Sequence, residues 1–346
     1  MPNSRASKYA QVSTSIRAVK SKMLGKEGYD RLLRCSTSSE CTSILREEGY
    51  FEDSTRIGES LDETSQQDLI DAKVTGVLHR LARLCPADCG QVLAELENRQ
   101  HLEFLKLGLR LISAPGESEA LGRILVSGVK GDVLRNIVET RNVELLVQSA
   151  GVPRLYGEIS SALAENRPLP LIEAMVDRYS LQRIWAATDM PDSIDKQSAR
   201  PLVGEHIDMV NLLLVARSKA LGVPSEEIQR VLVPVEYRLG GALSESVNST
   251  STTNALRAFT KTVYVESIAP FLEAFKDGDS LHPLDMSLRR RHALRCLSTF
   301  AGFPFCAGLP LAFAYLMTYE ASDIRSIISG KRDMLTADRI RESLVL

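Results

Sequence analysis

An all-α fold, made of three similar helical lobes, is what this sequence predicts, and three observations predict it. The chain of 346 residues is 44% hydrophobic but only 5% aromatic, and Leu, Ala, Glu and Arg abound. Such a composition favours helices over strands, which draw on Val, Ile, Tyr, Phe and Thr. A helix, break, short-helix unit recurs at 101–126, 206–233 and 322–346. Its period, near 110, is far longer than the roughly 20–50 residues of solenoid repeats, so whole duplicated lobes fit better than a continuous superhelix.

In chain order, positions 1–34 carry eight Lys or Arg against Glu27 and Asp30, and positions 35–72 carry ten acids against Arg46 and Arg56, including the polar run from Glu52 to Asp71. The simplest reading pairs one helical face with the next; the other is an acidic surface for a basic partner. Ser21-Lys22-Met23-Leu24-Gly25 echoes Ser218-Lys219-Ala220-Leu221-Gly222 as a partial copy of the unit.

Numbering offsets of 107 and then 112 align the three full units. Leu105, Leu212 and Ile324 coincide, as do Leu121, Ile228 and Ile340, then Leu125, Leu232 and Leu344, then Val126, Val233 and Val345. An acid recurs at Glu119, Glu226 and Asp338; Arg110 matches Arg217, and Lys219 matches Lys331. Each unit is an apolar helix with a basic end, then a turn, then a short helix with an acid in its first turn. Both charge placements complement the helix dipole. Between the units, Pro170-Leu171 with Arg178 matches Pro283-Leu284 with Arg291 at an offset of 113. The expected lobes are 1–127, 128–234 and 235–346, packed about a pseudo-threefold axis with a central concavity.

Residues 297–317 form a run of 21 without a charge, long enough to span a bilayer. Pro304 and Pro310 break it, so two buried elements joined by a turn are expected, with Pro310 in the first turn of a new helix. The N-terminal stretch shows no apolar signal-like region.

Net charge is −2, which gives no global reason to bind nucleic acid. The six cysteines, at 35, 41, 85, 89, 296 and 306, lack zinc spacing and read as reduced, mostly buried thiols. No phosphate loop, HExxH, GxSxG or dinucleotide fingerprint occurs, and Gly330-Lys331 lacks the rest of a phosphate motif. No catalytic residue, cofactor or metal site is expected. His206 with Asp208, and Glu226 with Glu227, read as ordinary surface chemistry. Arg289-Arg290-Arg291 with Arg295 reads as a solvated helix face, with an anion site as the alternative.

Three blocks carry a resemblance. YAQVSTSIRAVKSKMLGKEGYDRLL at 9–33, followed by LREEGYF, opens the chain. The central block at 207–239 holds Asp208, Asn211, Leu212, Arg217, Lys219, Glu226, Glu227, Ile228, Tyr237, Arg238 and Leu239. LPLAFAYLMTYEASDIRSIISGK at 309–331 closes it. Together, in this order, they resemble the C subunit of the A/V-type ATP synthases, the family that includes the d subunit of vacuolar ATPases. Leu213 stands where that family commonly has lysine, and His101 and Phe104 replace the Asp and Asn in the first unit.

The resemblance implies a funnel-shaped, non-catalytic rotor subunit. It would sit at the cytoplasmic face of the membrane, peripheral through the complex, and couple the membrane ring of ion-carrying subunits to the central shaft. Those two are the expected partners, with neither nucleic acid nor a small-molecule substrate. Arg110, Arg217, Lys219 and Lys331 are the candidate partner-binding residues. A free helical scaffold for soluble proteins is the alternative, and an all-helical enzyme with a site in the central cavity is a further one.

Overall fold

The computed structural model describes residues 4–50, 63–113, 136–137 and 139–346. Among them every regular element is helical, as the composition requires. Six long helices dominate: α4 (Glu63–Leu84), α5 (Ala87–Ser113), α8 (Leu169–Ala187), α9 (Ser193–Ala220), α14 (His282–Thr299) and α15 (Gly308–Arg332). They pair as consecutive hairpins, α4 with α5, α8 with α9 and α14 with α15. Each hairpin also packs on the next, α5 against α8, α9 against α14, and α15 back against α4. The circuit of contacts therefore closes on itself, and Arg325 of α15 forms an ion pair with Asp71 of α4 across the closure.

Shorter helices cover this circuit. α1 (Arg5–Lys20), α2 (Lys26–Arg34), α3 (Ser38–Glu47) and α16 (Ala337–Glu342) gather around α15, which touches α1, α3 and α16, while α16 also meets α2. α6 (Val143–Ser149) and α7 (Tyr156–Ala164) pack near α5 and α8, and α10 (Ser225–Val231), α11 (Gly241–Val247) and α12 (Thr252–Phe259) against α9. α13 (Val265–Ala274) bridges α12 and α14. Side-chain oxygens fix several helix starts: Asp192 accepts the N–H groups of Ile194 and Asp195 at the head of α9, and Thr336 that of Arg339 at the head of α16. Such bonds satisfy donors that the first helical turn leaves without partners.

The uncharged segment 297–317 is divided as its prolines predict. α14 ends at Thr299, Pro304 lies in the connection, and Pro310 lies in the first turn of α15. The first half of α15 is buried core rather than a span. No helix of the described residues is long and apolar enough to cross a membrane.

Two of the close approaches that glycine allows bear on the long helices α9 and α5. A Cβ on Gly204 would lie 2.4 Å from the Tyr237 ring, and one on Gly90 would lie 2.5 Å from the Ala82 carbonyl oxygen. The first lets the Tyr237 ring come against the backbone of α9; the second lets α5 start tight against α4.

The aligned units share detailed contacts. After α9, Val223 N–H donates to Ser218 O at 2.9 Å and Gly222 N–H to Lys219 O at 3.1 Å; after α15, Leu335 N–H donates to Gly330 O at 2.8 Å and Met334 N–H to Lys331 O at 3.2 Å. Gly222 has φ +68° and Met334 φ +53°, so both occupy the left-handed conformation that closes the helix end. Asn211 Oδ1 accepts Val233 N–H at 3.0 Å, and Asp323 Oδ1 accepts Val345 N–H at 2.8 Å. Arg178 donates to Arg230 O, and Arg290 to Glu342 O at 2.8 Å. That last pair aligns at an offset of 112, one less than the 113 of the proline match.

Several expectations are corrected. Cys35 and Cys41 are joined as a disulfide, whereas Cys85, Cys89, Cys296 and Cys306 are free thiols. The pair brackets the short turn between α2 and α3, which sequence spacing alone did not suggest. Asp208 is fully buried, and His206 faces an internal cavity, instead of lying on the surface. Leu232 ends α10 as its half-buried C-cap, while Ile228 and Val231 fill the core beside it. Glu119, Leu121, Leu125 and Val126, and residues 52–62 of the acidic run, lie outside the described residues.

Candidate functional site: a charged cavity inside the helix circuit

The six long helices surround a cavity of about 420 Å³, and all six contribute to its wall. The three helices of the aligned units supply it in one register. α5 contributes Arg99, Glu103, Lys106 and Arg110; α9 contributes His206, Val210, Leu213 and Arg217, each at an offset of 107; α15 contributes Thr318, Ser322 and Arg325, at the further offset of 112. Side chains three or four positions apart share a helix face, so one stripe of each helix faces inward.

Charge pairs tie adjacent hairpins along this wall. Arg110 of α5 clasps Glu173 of α8 through two bonds, Nε to Oε1 at 2.5 Å and Nη2 to Oε2 at 3.1 Å. The same pairing recurs one unit later, where Arg217 Nη2 of α9 meets Asp285 Oδ2 of α14 at 3.0 Å. Lys106 Nζ reaches Asp177 Oδ1 at 3.1 Å and Glu103 at 2.8 Å, and Arg99 Nη2 shares the same Asp177 oxygen at 3.3 Å. Burial pulls the Lys106 ammonium down, but Asp177 and Glu103 outweigh it and raise its pKa, so it stays charged. Arg289 Nε adds a 2.6 Å bond to Asp285.

At the inner end, Arg99 Nη1 donates to His206 Nε2 at 2.8 Å. Burial, with the Arg99 charge beside it, holds the imidazole well below its ordinary pKa. The ring is therefore neutral, and because Nε2 accepts, its proton sits on Nδ1. Behind it, His292 contacts Tyr319 Oη at 2.8 Å and Leu202 O at 2.9 Å, and burial lowers its pKa to about 4.

Buried carboxylates on the outer faces of α9 and α15 pin the segments that follow or cross them. Asp208 accepts the N–H groups of Tyr237 at 3.0 Å and Arg238 at 2.7 Å and the Tyr264 hydroxyl at 2.9 Å. Glu320, which matches Asp208 at the offset of 112, accepts Leu24 N–H at 2.6 Å. Asp323 takes the N–H of Leu346 at 2.9 Å besides that of Val345, and the Tyr29 hydroxyl at 3.3 Å. Burial pushes Asp208 and Asp323 to about 6 and Glu320 to about 7. These are structural clasps, with no open space in which to act on a substrate.

Of the four candidates from the sequence, Arg110 and Arg217 line the cavity, whereas Lys219 and Lys331 do not. Lys219 Nζ bonds Ser225 Oγ at 3.1 Å, and Lys331 Nζ bonds Leu33 O at 2.6 Å. Arg289 belongs to the cavity wall, while Arg290 and Arg295 are exposed, Arg290 also donating to the backbone of the C-terminal segment, so the arginine run is a solvated face only in part. Sequence reasoning missed Arg99, Lys106, Arg325 and the carboxylates that hold them, though the offsets of 107 and 112 already aligned most of these positions. Among the described residues no group of His, Cys, Asp and Glu is placed to hold a metal ion.

Comparison with known proteins agrees with the resemblance seen in the three blocks. The chain is 20% identical over 344 residues to the C subunit of the A-type ATP synthase of Methanocaldococcus jannaschii, covering 97% of this chain and 86% of that one. It is 22% identical to the protein of the same name from Methanococcoides burtonii, covering 99% and 95%, and 24% identical to that of Methanosarcina mazei, covering 99% and 94%. The sequence model of the ATP synthase (C/AC39) subunits matches residues 12–343. With nearly its whole length so matched, the chain belongs to the ATP synthase (C/AC39) subunit family.

Proposed function

We propose that the chain is the central-stalk rotor adaptor of an A/V-type rotary ATPase, a three-lobed funnel that joins the ion-carrying membrane ring to the central shaft. The observation that carries this reading is the closed helix circuit, in which each hairpin is tied to the next by packing and by an ion pair. A part that only transmits torque needs stiffness and shaped end surfaces, and it needs no reacting groups. The charged side chains of the cavity are engaged with one another, which suits a wall better than an active site. The adaptor would stand at the cytoplasmic face, peripheral to the membrane, and serve proton or sodium transport coupled to ATP synthesis or hydrolysis.

In this reading the basic ends of α5, α9 and α15 meet the partner. Arg110 and Arg217 are exposed though paired with Glu173 and Asp285, and Lys219 and Lys331 are each held by one internal acceptor, so all four stand as contact candidates at that end. The test is reconstitution of the rotary complex with and without this chain. The expected result is that ATP hydrolysis by the catalytic head persists without the chain while ion transport is lost, and that adding the chain restores transport. Full coupled transport in its absence would overturn the reading and favour a free scaffold.

A further inference from the structure

The cavity wall carries more positive charge than it neutralises. Six cationic side chains of the lining face four carboxylates there, and a fifth, Asp71, takes Arg325 from outside it, which leaves one positive charge in excess among the described residues. Asp177 is shared by Arg99 and Lys106, and Asp285 by Arg217 and Arg289; the half-exposed Glu103 adds one contact, to Lys106. Crowding like charges in a partly dry space is unfavourable unless something offsets it.

Two polar atoms in the same cavity are left without partners. Tyr315 Oη and His206 Nδ1 are both buried and, among the described residues, neither has a hydrogen-bond partner. Their rings lie close, with centroids 5.1 Å apart, and both residues line the cavity. With Nε2 occupied by Arg99, His206 offers an N–H, and Tyr315 can offer its O–H. A buried donor without an acceptor is unfavourable, since it has given up its bond to water and gained none in return. Arg99 bonds this imidazole directly, Lys106 shares Asp177 with Arg99, and Arg289 lines the same cavity, so these cations and the two unused donors share one space. An acceptor-only, multiply charged group answers both deficits.

We propose that this cavity binds a small multivalent anion of the phosphate class, held by Arg99, Lys106 and Arg289 and completed by the His206 N–H and the Tyr315 hydroxyl. The site is separate from the adaptor surfaces proposed above and does not depend on them. Its volume exceeds the needs of orthophosphate, which leaves room for a diphosphate or for a phosphate carried on an organic group.

The experiment is calorimetric titration of the full-length chain with inorganic pyrophosphate at fixed ionic strength in chloride, with orthophosphate and ADP as parallel ligands. One saturable site is expected, with pyrophosphate tighter than orthophosphate. Binding of ADP to the same site would assign a phosphate ester as the natural source, and its exclusion a free anion; either supports the site. Tyr315→Phe removes one hydroxyl that has no partner, so the fold is kept, and affinity should fall about 5-fold; Lys106→Gln should weaken it at least about 10-fold. Absence of saturable binding, meaning that the two donors hold only water, overturns the proposal. So does pyrophosphate affinity unchanged in both variants, which would place the anion on the outer surface. Either result leaves the rotor reading untouched.

Discussion

Asp323 accepts the backbone N–H of Val345 across a separation of 22 residues, and Asn211 accepts that of Val233 across the same separation one unit earlier. The two side chains differ in charge but present the same acceptor at the same distance from the backbone. Each fastens the segment after a short helix to the middle of a long one. The two bonds therefore serve one structural purpose twice.

Asp323→Ala removes the acceptor for a buried and a part-buried backbone N–H and for the Tyr29 hydroxyl. The expected loss is about 2–4 kcal/mol in urea unfolding. Asp323→Asn keeps an oxygen for Val345, as Asn211 does for Val233, and should cost less than half as much. Equal losses in the two variants would show that charge, rather than acceptor geometry, holds the C-terminal segment.

Glu320 makes a pH-dependent contribution of known sign. Burial lifts its pKa from the ordinary 4.5 to about 7, so the folded chain holds this proton more tightly than the unfolded one. The stabilisation is complete below about pH 4.5 and is lost as pH rises through about 7, a change of about 3 kcal/mol. His292, lowered to about 4, works in the opposite sense, losing stability as pH falls from about 6.5 to 4, and it masks the Glu320 contribution in the wild type. Glu320→Gln minus wild type isolates it. The variant should gain stability relative to wild type between pH 4 and pH 8 when unfolding is followed by circular dichroism.

Gly204→Ala forces a methyl group into the Tyr237 ring, and a loss of about 1–3 kcal/mol is expected. If the contact is the cause, the same substitution in a Tyr237→Ala background costs much less. The double-mutant cycle of melting temperatures reads the coupling directly.

Met334 sits at the left-handed position that Gly222 fills in the preceding unit, and its side chain is 90% exposed. A non-glycine residue there costs roughly 1–2 kcal/mol, partly offset by the extra chain entropy of glycine. Met334→Gly should therefore stabilise the chain by about 0.5–1 kcal/mol. Gly222→Met should do the reverse, and calorimetric melting of both checks the equivalence.

How far the sequence could be read depends on what each signal encodes. Apolar spacing marked the long helices and the two offsets, because burial forces Leu105, Leu212 and Ile324 to be alike in kind. It did not reveal the Asp208 and Glu320 correspondence, or that of Asn211 and Asp323, since acceptors of different charge can hold the same donors. Arg110 and Arg217 were singled out by their recurrence, but their partners Glu173 and Asp285 lie on other helices, at separations of 63 and 68 residues. Lys219 and Lys331 recur as faithfully and still lie outside the cavity, because recurrence marks an equivalent place and says nothing of what that place faces.

The closure of α15 onto α4 also fixes when the molecule can become whole. The ion pair that spans it joins residues 254 apart, and α15 leaves a ribosome that much later than α4. At synthesis rates of about 5–20 residues per second, α4 waits roughly 10–50 s for the neighbour that covers its free side. During that interval a buried flank is open to solvent and to wrong partners. A nascent chain of this kind has a built-in window in which a chaperone that shields that flank of α4 would have most to do.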